Sequence, residues 1–288
     1  MQRSKIRKYQ LAQLELLKFF DNKCKEIGLD YYLVFGTLLG AVRHGGFIPW
    51  DADIDIAMFR DHYEKLKDYF LMQPVPELFY QHYETERNHL SPHAVLKIKG
   101  THVYYNRQYL GKYKPRYDGI YIDIFPIDNV LPDESKQLRQ SGQIAKIRRI
   151  VSLKAAPIYA SQTSFVKRFG KRIVSTALAP ISLRHLYGKV DRIMQKYNHV
   201  ETEQVAILTD PQVFKKQLFP REVFGKPKTI GFENGCFMIP YDAERFLKIR
   251  YGDYMELPPE NERWKYLDET LKDVDYGDTN FLQGINWK

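Results

Sequence analysis

The sequence predicts an α+β fold: a mixed β-sheet core flanked by helices, interrupted by a basic, helical insertion. Three observations carry this reading. Segments with helical apolar spacing and segments with strict alternation succeed one another along the chain. Two short apolar strands carry aspartates on one side. Residues 135 to 190 hold 12 Lys or Arg and no acid, leaving the remainder with 32 basic against 35 acidic residues, out of a chain total of 44 against 35. The 288 residues allow one large domain or two ordinary ones, and a content of 44% hydrophobic residues supplies a sizeable core. The expected organisation is a catalytic core over 1–132, the insertion over 133–190, and a part that completes the core over 191–288.

The elements follow in order. Leu11, Leu14, Leu17, Phe20, Cys24 and Ile27 recur at helical spacing, so 9–27 reads as a helix stopped by Gly28. "YYLVF" (31–35) is a run of β-formers. "GTLLGAVRHGG" (36–46) reads as a tight turn, a short helix and a loop. "DIDIAM" (53–58) alternates and reads as a strand, and "HYEKLKDYF" (62–70) as a helix. "HAVLKIKG" (93–100) and "THVYYN" (101–106) suit a hairpin turning near Gly100. "GIYIDIFPI" (119–127) is another strand, ended by Pro126. Helices are expected at 184–198 and 242–250, with short strand material at 234–240 between them. No repeat or low-complexity tract appears.

The aspartates carry the functional argument. In a strand, residues i and i+2 face the same way, so Asp53 and Asp55 project together while Ile54 and Ile56 enter a core. Two carboxylates so close repel unless a cation sits between them, and hard divalent cations favour oxygen ligands. Asp123, between Ile122 and Ile124, offers a third carboxylate on a second apolar strand. A solvated sheet face explains the same alternation without any metal. The junction "FGTLLG" adds a second kind of feature. Gly36 sits where a strand meets a helix, a place that exposes backbone N–H groups to phosphate oxygens, and Thr37 adds a hydroxyl. Strand, Gly-Thr, helix, Asp-x-Asp strand and third Asp together describe a nucleotidyltransferase-type site. Such a site would place Asp53, Asp55 and Asp123 around one or two Mg²⁺ ions for displacement at phosphorus.

At these residues the chain resembles a known family. "FGTLLGAVRHGGFIPWDADIDIAM" is similar to the signature of the LicD family, which includes bacterial phosphocholine transferases and is related to fukutin-type phosphotransferases. "GIYIDIFPID" resembles its second acidic motif and "YGDYMELPP" its C-terminal motif. The likeness covers about 31 to 130 and 234 to 260, and thins out in the basic block. Ala52 departs from it, where the family often has an acid; by parity that position faces away from Asp53. The resemblance implies a nucleotidyltransferase-like fold, a CDP-linked alcohol donor such as CDP-choline, and a hydroxyl acceptor on a glycan or teichoic acid precursor. Mg²⁺, or Mn²⁺ in its place, is the expected cofactor. The alternatives are a true nucleotidyltransferase that uses an NTP, and a non-catalytic scaffold at a membrane surface.

The remaining candidates are basic. Arg43 and His44 can reach the donor diphosphate, or lie on the surface. Lys97 and Lys99 share a strand face, and one of them can neutralise phosphate; a solvated edge lysine is the plainer reading. The block 135–190 alternates Lys and Arg with Ile, Val, Phe and Leu, which suits a helix lying on an anionic bilayer, or a basic helical subdomain. Nucleic acid is not expected, because no recognised binding module accompanies the charge. Cys24 and Cys236 form neither a staple nor a zinc motif. No signal peptide and no membrane span is legible. The expected location is cytoplasmic, peripheral on the inner face of the cytoplasmic membrane.

Overall fold

A computed structural model of the chain describes residues 3–105, 115–154, 173–174, 176–209, 211–265, 267 and 271–283. Helix α1 (Arg3–Glu26) begins before the expected start at 9 and buries Ile6, Tyr9, Leu16, Leu17, Phe20 and Cys24 along one stripe. Strand β1 is only Tyr32–Leu33. The expected longer strand is cut short because α2 (Phe35–His44) starts at Phe35, whose φ of 49° turns the chain sharply into the helix. Gly45, at φ 68°, ends α2 in the left-handed conformation that glycine tolerates without cost. Strand β2 (Asp55–Phe59) and helix α3 (Arg60–Met72) follow directly.

The main sheet takes its order from one long central strand. Strands β3 (Leu78–Gln81), β4 (Ala94–Ile98) and β6 (Tyr121–Val130) join β1 and β2 in the order β1-β2-β6-β4-β3. β2 and β6 run parallel, with Asp55 opposite Asp123; β4 lies antiparallel to β6 and to β3. Beyond Pro126, β6 changes partner and pairs with β7 (Gln204–Ala206), which pairs with β8 (Leu218–Pro220). The expected strand end at Pro126 is therefore corrected: β6 runs on to Val130. Asp123 donates its N–H to Ile54 O on the β2 side, so by alternation Pro126 faces the other edge. There it falls between the last register with β4 at Ile124 and the first with β7 at Asp128. The missing N–H costs the ladder nothing.

The expected hairpin of 93–100 with 101–106 is also corrected. Both edges of β4 are taken by β3 and β6, so β5 (His102–Tyr105) turns away. It pairs instead with β11 (Leu271–Asp275), far along the chain, with Val103 opposite Val274. A second small sheet joins β9 (Lys228–Phe232) to β10 (Gly235–Ile239). Helices α6 (Ala243–Tyr251) and α7 (Glu260–Arg263) lie between it and β11.

The basic block does not behave as a free surface helix over its described part. α4 (Glu134–Lys154) buries Gln137, Gln140, Ile144 and Val151, and packs against α5 (Leu183–Met194). The alternation of β7 shows how this unit is joined to the rest. Val205 and Ile207 enter the main core, while Ala206 and Leu208 enter a second cluster with Ile144, Leu186 and Val190. Ile144 and Val151 of α4 are thus occupied by protein, whereas Leu138 and Leu153 stay exposed. Residues 155–172 of the block lie outside the described residues.

A buried ion pair holds the two clusters together. Arg60 donates from Nε and Nη2 to both carboxylate oxygens of Asp128, at 2.8 and 2.6 Å, and from Nη1 to Asp191 at 2.8 Å. Asn198 adds a bond to Asp128 at 2.6 Å. Asp128 is fully buried, so the loss of its partner strands a charge. Arg60→Met is expected to lower stability in urea by about 3–5 kcal/mol, the range for breaking a buried pair. Adding Asp128→Asn to that variant should recover part of the loss; a further fall would show that packing, not the stranded charge, sets the effect.

Candidate active site

One cavity of about 390 Å³ is bounded by Phe35 and Gly36, by Asp51, Asp53 and Asp55, and by the loop Leu90–His93. The rest of its lining comes from segments distant in sequence: Arg148, Thr209, Gln217, Arg250 and Tyr251. The volume lies in the usual range for small-ligand sites.

The acidic wall is held from behind. Gln10 Nε2 donates to the carbonyls of Ile48 and Asp51, and Gln13 Nε2 to those of Ala52 and Tyr121. Both glutamines are buried on the core face of α1. They clamp the 48–52 loop against the start of β6, fixing where Asp51 and Asp53 point. Gly36 is required by close approach: a methyl there would overlap the Asp51 carboxylate. Thr37 is buried, and its hydroxyl accepts the N–H of Asp55 at 2.8 Å. It ties α2 to β2 and does not line the cavity.

Asp53 and Asp55 both line the cavity, although the expected strand over 53–58 begins only at Asp55 and Asp53 precedes it. Asp123 stands opposite Asp55 across the parallel pair, where neighbouring strands lie about 4.8 Å apart. It is set one step back. His93 lines the cavity in front of it and bonds to it, Nε2 to Oδ1, at 3.1 Å. These carboxylates keep only a strip of surface open to the cavity. Burial first, then Asp51 and Asp55, push the Asp53 carboxyl well above the usual range. Burial, then Asp123 and Asp51, do the same to Asp55, with Arg250 opposing. Asp51 is raised by burial, against its bonds to Asp53 and to the Ala52 N–H.

Among the described residues, no three His, Cys, Asp or Glu side chains are gathered tightly enough to hold a metal ion as they stand. The donor set is nevertheless that of a hard cation. Its carboxylates are oxygen ligands, mutually repelled and withdrawn from water, and a divalent ion relieves both costs.

The other expected residues fall outside the cavity. Arg43 does not line the cavity; it donates from Nη1 to the carbonyls of Tyr254 and Glu256, which ties α2 to the C-terminal loop. His44 packs edge-on against Trp50 with ring centroids 6.0 Å apart. Lys97 shares a sheet face with Asp123, because Val95 pairs with Asp123 and Lys97 with Tyr121. Its Nζ donates to Tyr117 O at 3.0 Å, and burial pulls the ammonium down to about 8. Lys99 donates to Pro76 O at 2.8 Å. Sequence reasoning missed Gln10, Gln13, His93, Arg148 and Arg250. Only the family-like stretch around Tyr251 pointed toward that part of the lining.

A mixed sheet whose two parallel strands bring acids to one cavity defines the class to which the comparisons also point. The model described as the LicD/FKTN/FKRP nucleotidyltransferase domain matches residues 28–142 of the chain. Over 270 residues it is 29% identical to the lipopolysaccharide cholinephosphotransferase LicD of Haemophilus influenzae, covering 91% of this chain and 96% of that protein. Over 48 residues it is 53% identical to the human ribitol 5-phosphate transferase FKRP, covering 17% of this chain and 10% of that protein.

The electrostatics make a prediction with a definite sign. A carboxyl raised in the fold binds protons more tightly there than in the unfolded chain. Its ionisation therefore costs stability, and the cost grows as pH rises from the ordinary carboxylate value through the folded one. At pH 7 without divalent ions, Asp55→Asn should raise the thermal midpoint, by about 2–4 °C for each kcal/mol relieved. Scanning calorimetry in chelator checks this; a lower midpoint would mean that Asp55 is held by compensating contacts.

Proposed function

We propose that the chain transfers a phospho-alcohol, phosphocholine or a related phospho-polyol, from a CDP-linked donor to a hydroxyl of a cell-surface glycan or teichoic acid precursor. The observation that carries this is the likeness to a cholinephosphotransferase along nearly the whole of both chains. The acidic cavity supports it. The acceptor oxygen forms a bond to the distal phosphorus of the donor, the bond from that phosphorus to CMP breaks, and CMP leaves.

The chain's residues would act chiefly by positioning and charge. Asp53 and Asp55 would hold Mg²⁺, with Asp51 the adjacent oxygen donor and Asp123 adding charge from across the sheet. The ion, when bound, supplies charge neutralisation for the diphosphate. The first-turn N–H groups of α2 have no partners within the helix, and Phe35 and Gly36 of that turn border the cavity. They suit phosphate oxygens. Asp123 would receive the acceptor's proton through His93, which lines the cavity and bonds to it.

Donor labelled at its distal phosphorus tests the reading. Incubated with Mg²⁺ and glycan acceptor, CDP-choline, CDP-glycerol or CDP-ribitol should leave label on the glycan and unlabelled CMP in solution. Pyrophosphate released from an NTP would instead establish the nucleotidyltransferase alternative. Asp53→Asn should lower turnover by several orders of magnitude while the variant stays folded, and should abolish any rise in thermal midpoint that Mg²⁺ gives the wild type.

The acceptor is proposed to be lipid-linked, with the enzyme approaching an anionic membrane surface. No helix among the described residues is long and apolar enough to cross a membrane. Lys136, Arg139, Lys146 and Arg149 are exposed along one side of α4, away from its buried stripe. Each contributes about 1 kcal/mol beside an anionic leaflet. The wild type should co-sediment with vesicles that contain anionic lipid and should release in high salt. Arg139→Glu/Lys146→Glu/Arg149→Glu should not co-sediment; equal binding by both proteins would remove α4 from the membrane contact.

A further inference from the structure

The acidic wall raises a physical difficulty. A nucleoside diphosphate carries negative charge into a cavity that already presents Asp51, Asp53 and Asp55. One divalent ion offsets only part of that charge. Something else in the cavity must attract the phosphates.

Two arginines stand there, brought from remote parts of the chain. Arg148 comes from the middle of α4, inside the basic block. Arg250 comes from the last turn of α6. Both line the same cavity as the three aspartates. Each is fixed in place. Arg148 donates from Nη1 to Thr209 O at 2.6 Å, which holds its guanidinium beside another lining residue. The guanidinium of Arg250 lies over the ring of Phe35 at 4.9 Å and near that of Tyr251 at 5.6 Å. Phe35 in turn packs edge-on against Phe125, with ring centroids 5.5 Å apart.

Arg250 carries the stronger sign of a missing ligand. Its Nε is buried and finds no acceptor among the described residues. A buried donor left unpaired is costly, and an arginine in a polar cavity ordinarily takes a carboxylate. Asp55 is near enough for Arg250 to hold down its carboxyl's pKa, yet no hydrogen bond joins Nε to it. The Arg250 side chain lines the cavity, where its guanidinium can meet an oxyanion that enters. A guanidinium binds phosphate through paired N–H bonds, which a lysine cannot reproduce.

We infer that Arg148 and Arg250 form a clamp for the diphosphate of a nucleotide-linked donor in the cavity that the aspartates also line. The inference rests on the transferase reading and assigns the phosphate subsite within it. It also gives part of the basic block a task other than membrane contact: Arg148 belongs to the donor pocket, while the exposed side of α4 carries the other charges. The phosphates would lie between two positive side chains and a carboxylate-bound cation, so binding should need both.

Calorimetric titration with CDP and with inorganic pyrophosphate, with Mg²⁺ present, tests this on the full chain. The wild type is expected to bind both. Arg148→Gln and Arg250→Gln should each weaken both ligands at least tenfold, with the thermal midpoint of the ligand-free protein unchanged. Arg250→Lys keeps the charge and loses the paired donors, and should recover only part of the affinity. Should either glutamine variant prove unstable, its lysine counterpart carries the same comparison. In turnover, the donor KM should rise while the acceptor KM holds. Wild type that binds, with variants that bind equally well, overturns the clamp and leaves the transferase reading standing. Wild type that binds neither CDP nor pyrophosphate overturns both.

Discussion

The parallel pairing of β2 with β6 is the constraint on which the rest depends. It sets Asp55 opposite Asp123 in one register and so places two negative charges about one strand spacing apart. Slipping that pairing by a single residue would send the aspartates into the core and bring Ile56 and Ile124 to the cavity. The alternation of Ile with Asp in both strands makes every such slip expensive. Register and chemistry are specified by the same residues.

Much of the surrounding structure reads as support for this unfavourable arrangement. The Asp55 N–H is taken by Thr37, the loop carrying Asp51 and Asp53 is gripped by Gln10 and Gln13, and Gly36 leaves room for the Asp51 carboxylate. Further along, Arg60 and Asp128 join α3 to β6 just past the point where β6 changes partners. That bond lies below the site and holds the second cluster to the first. Polar side chains thus do inside the protein what apolar packing alone does not: they fix direction as well as proximity.

The acidic half of the site was legible in the sequence because strand alternation is a local signal. Asp55 keeps its face whatever partner its strand finds, and Asp53, just before the strand, reaches the same cavity. Gly36 was legible as a strand-helix junction, although its role is to admit Asp51. The other half was not legible, for a physical reason. Arg148, Arg250 and His93 belong to the cavity through tertiary packing over long stretches of chain, and each looks like an ordinary surface residue beside its neighbours. Gln10 and Gln13 lie on a helix stripe that periodicity assigns to the core, where an amide has no obvious reason to be. The hairpin expected from 93 to 106 failed because edge availability belongs to the whole sheet, not to the turn. Pro126 misled in the opposite way, since a strand that exchanges partners leaves one position where no donor is needed. Arg43 and His44 lie in the last turn of α2 but do not line the cavity, because Arg43 turns to the C-terminal loop and His44 to Trp50.

The lining of the cavity divides along the chain as well as in chemistry. Residues 28–142 contain the carboxylates, Gly36 and His93, whereas Arg148, Thr209, Gln217, Arg250 and Tyr251 all lie beyond that stretch. A fragment cut to the matched domain would keep the acids and leave behind both arginines of the pocket.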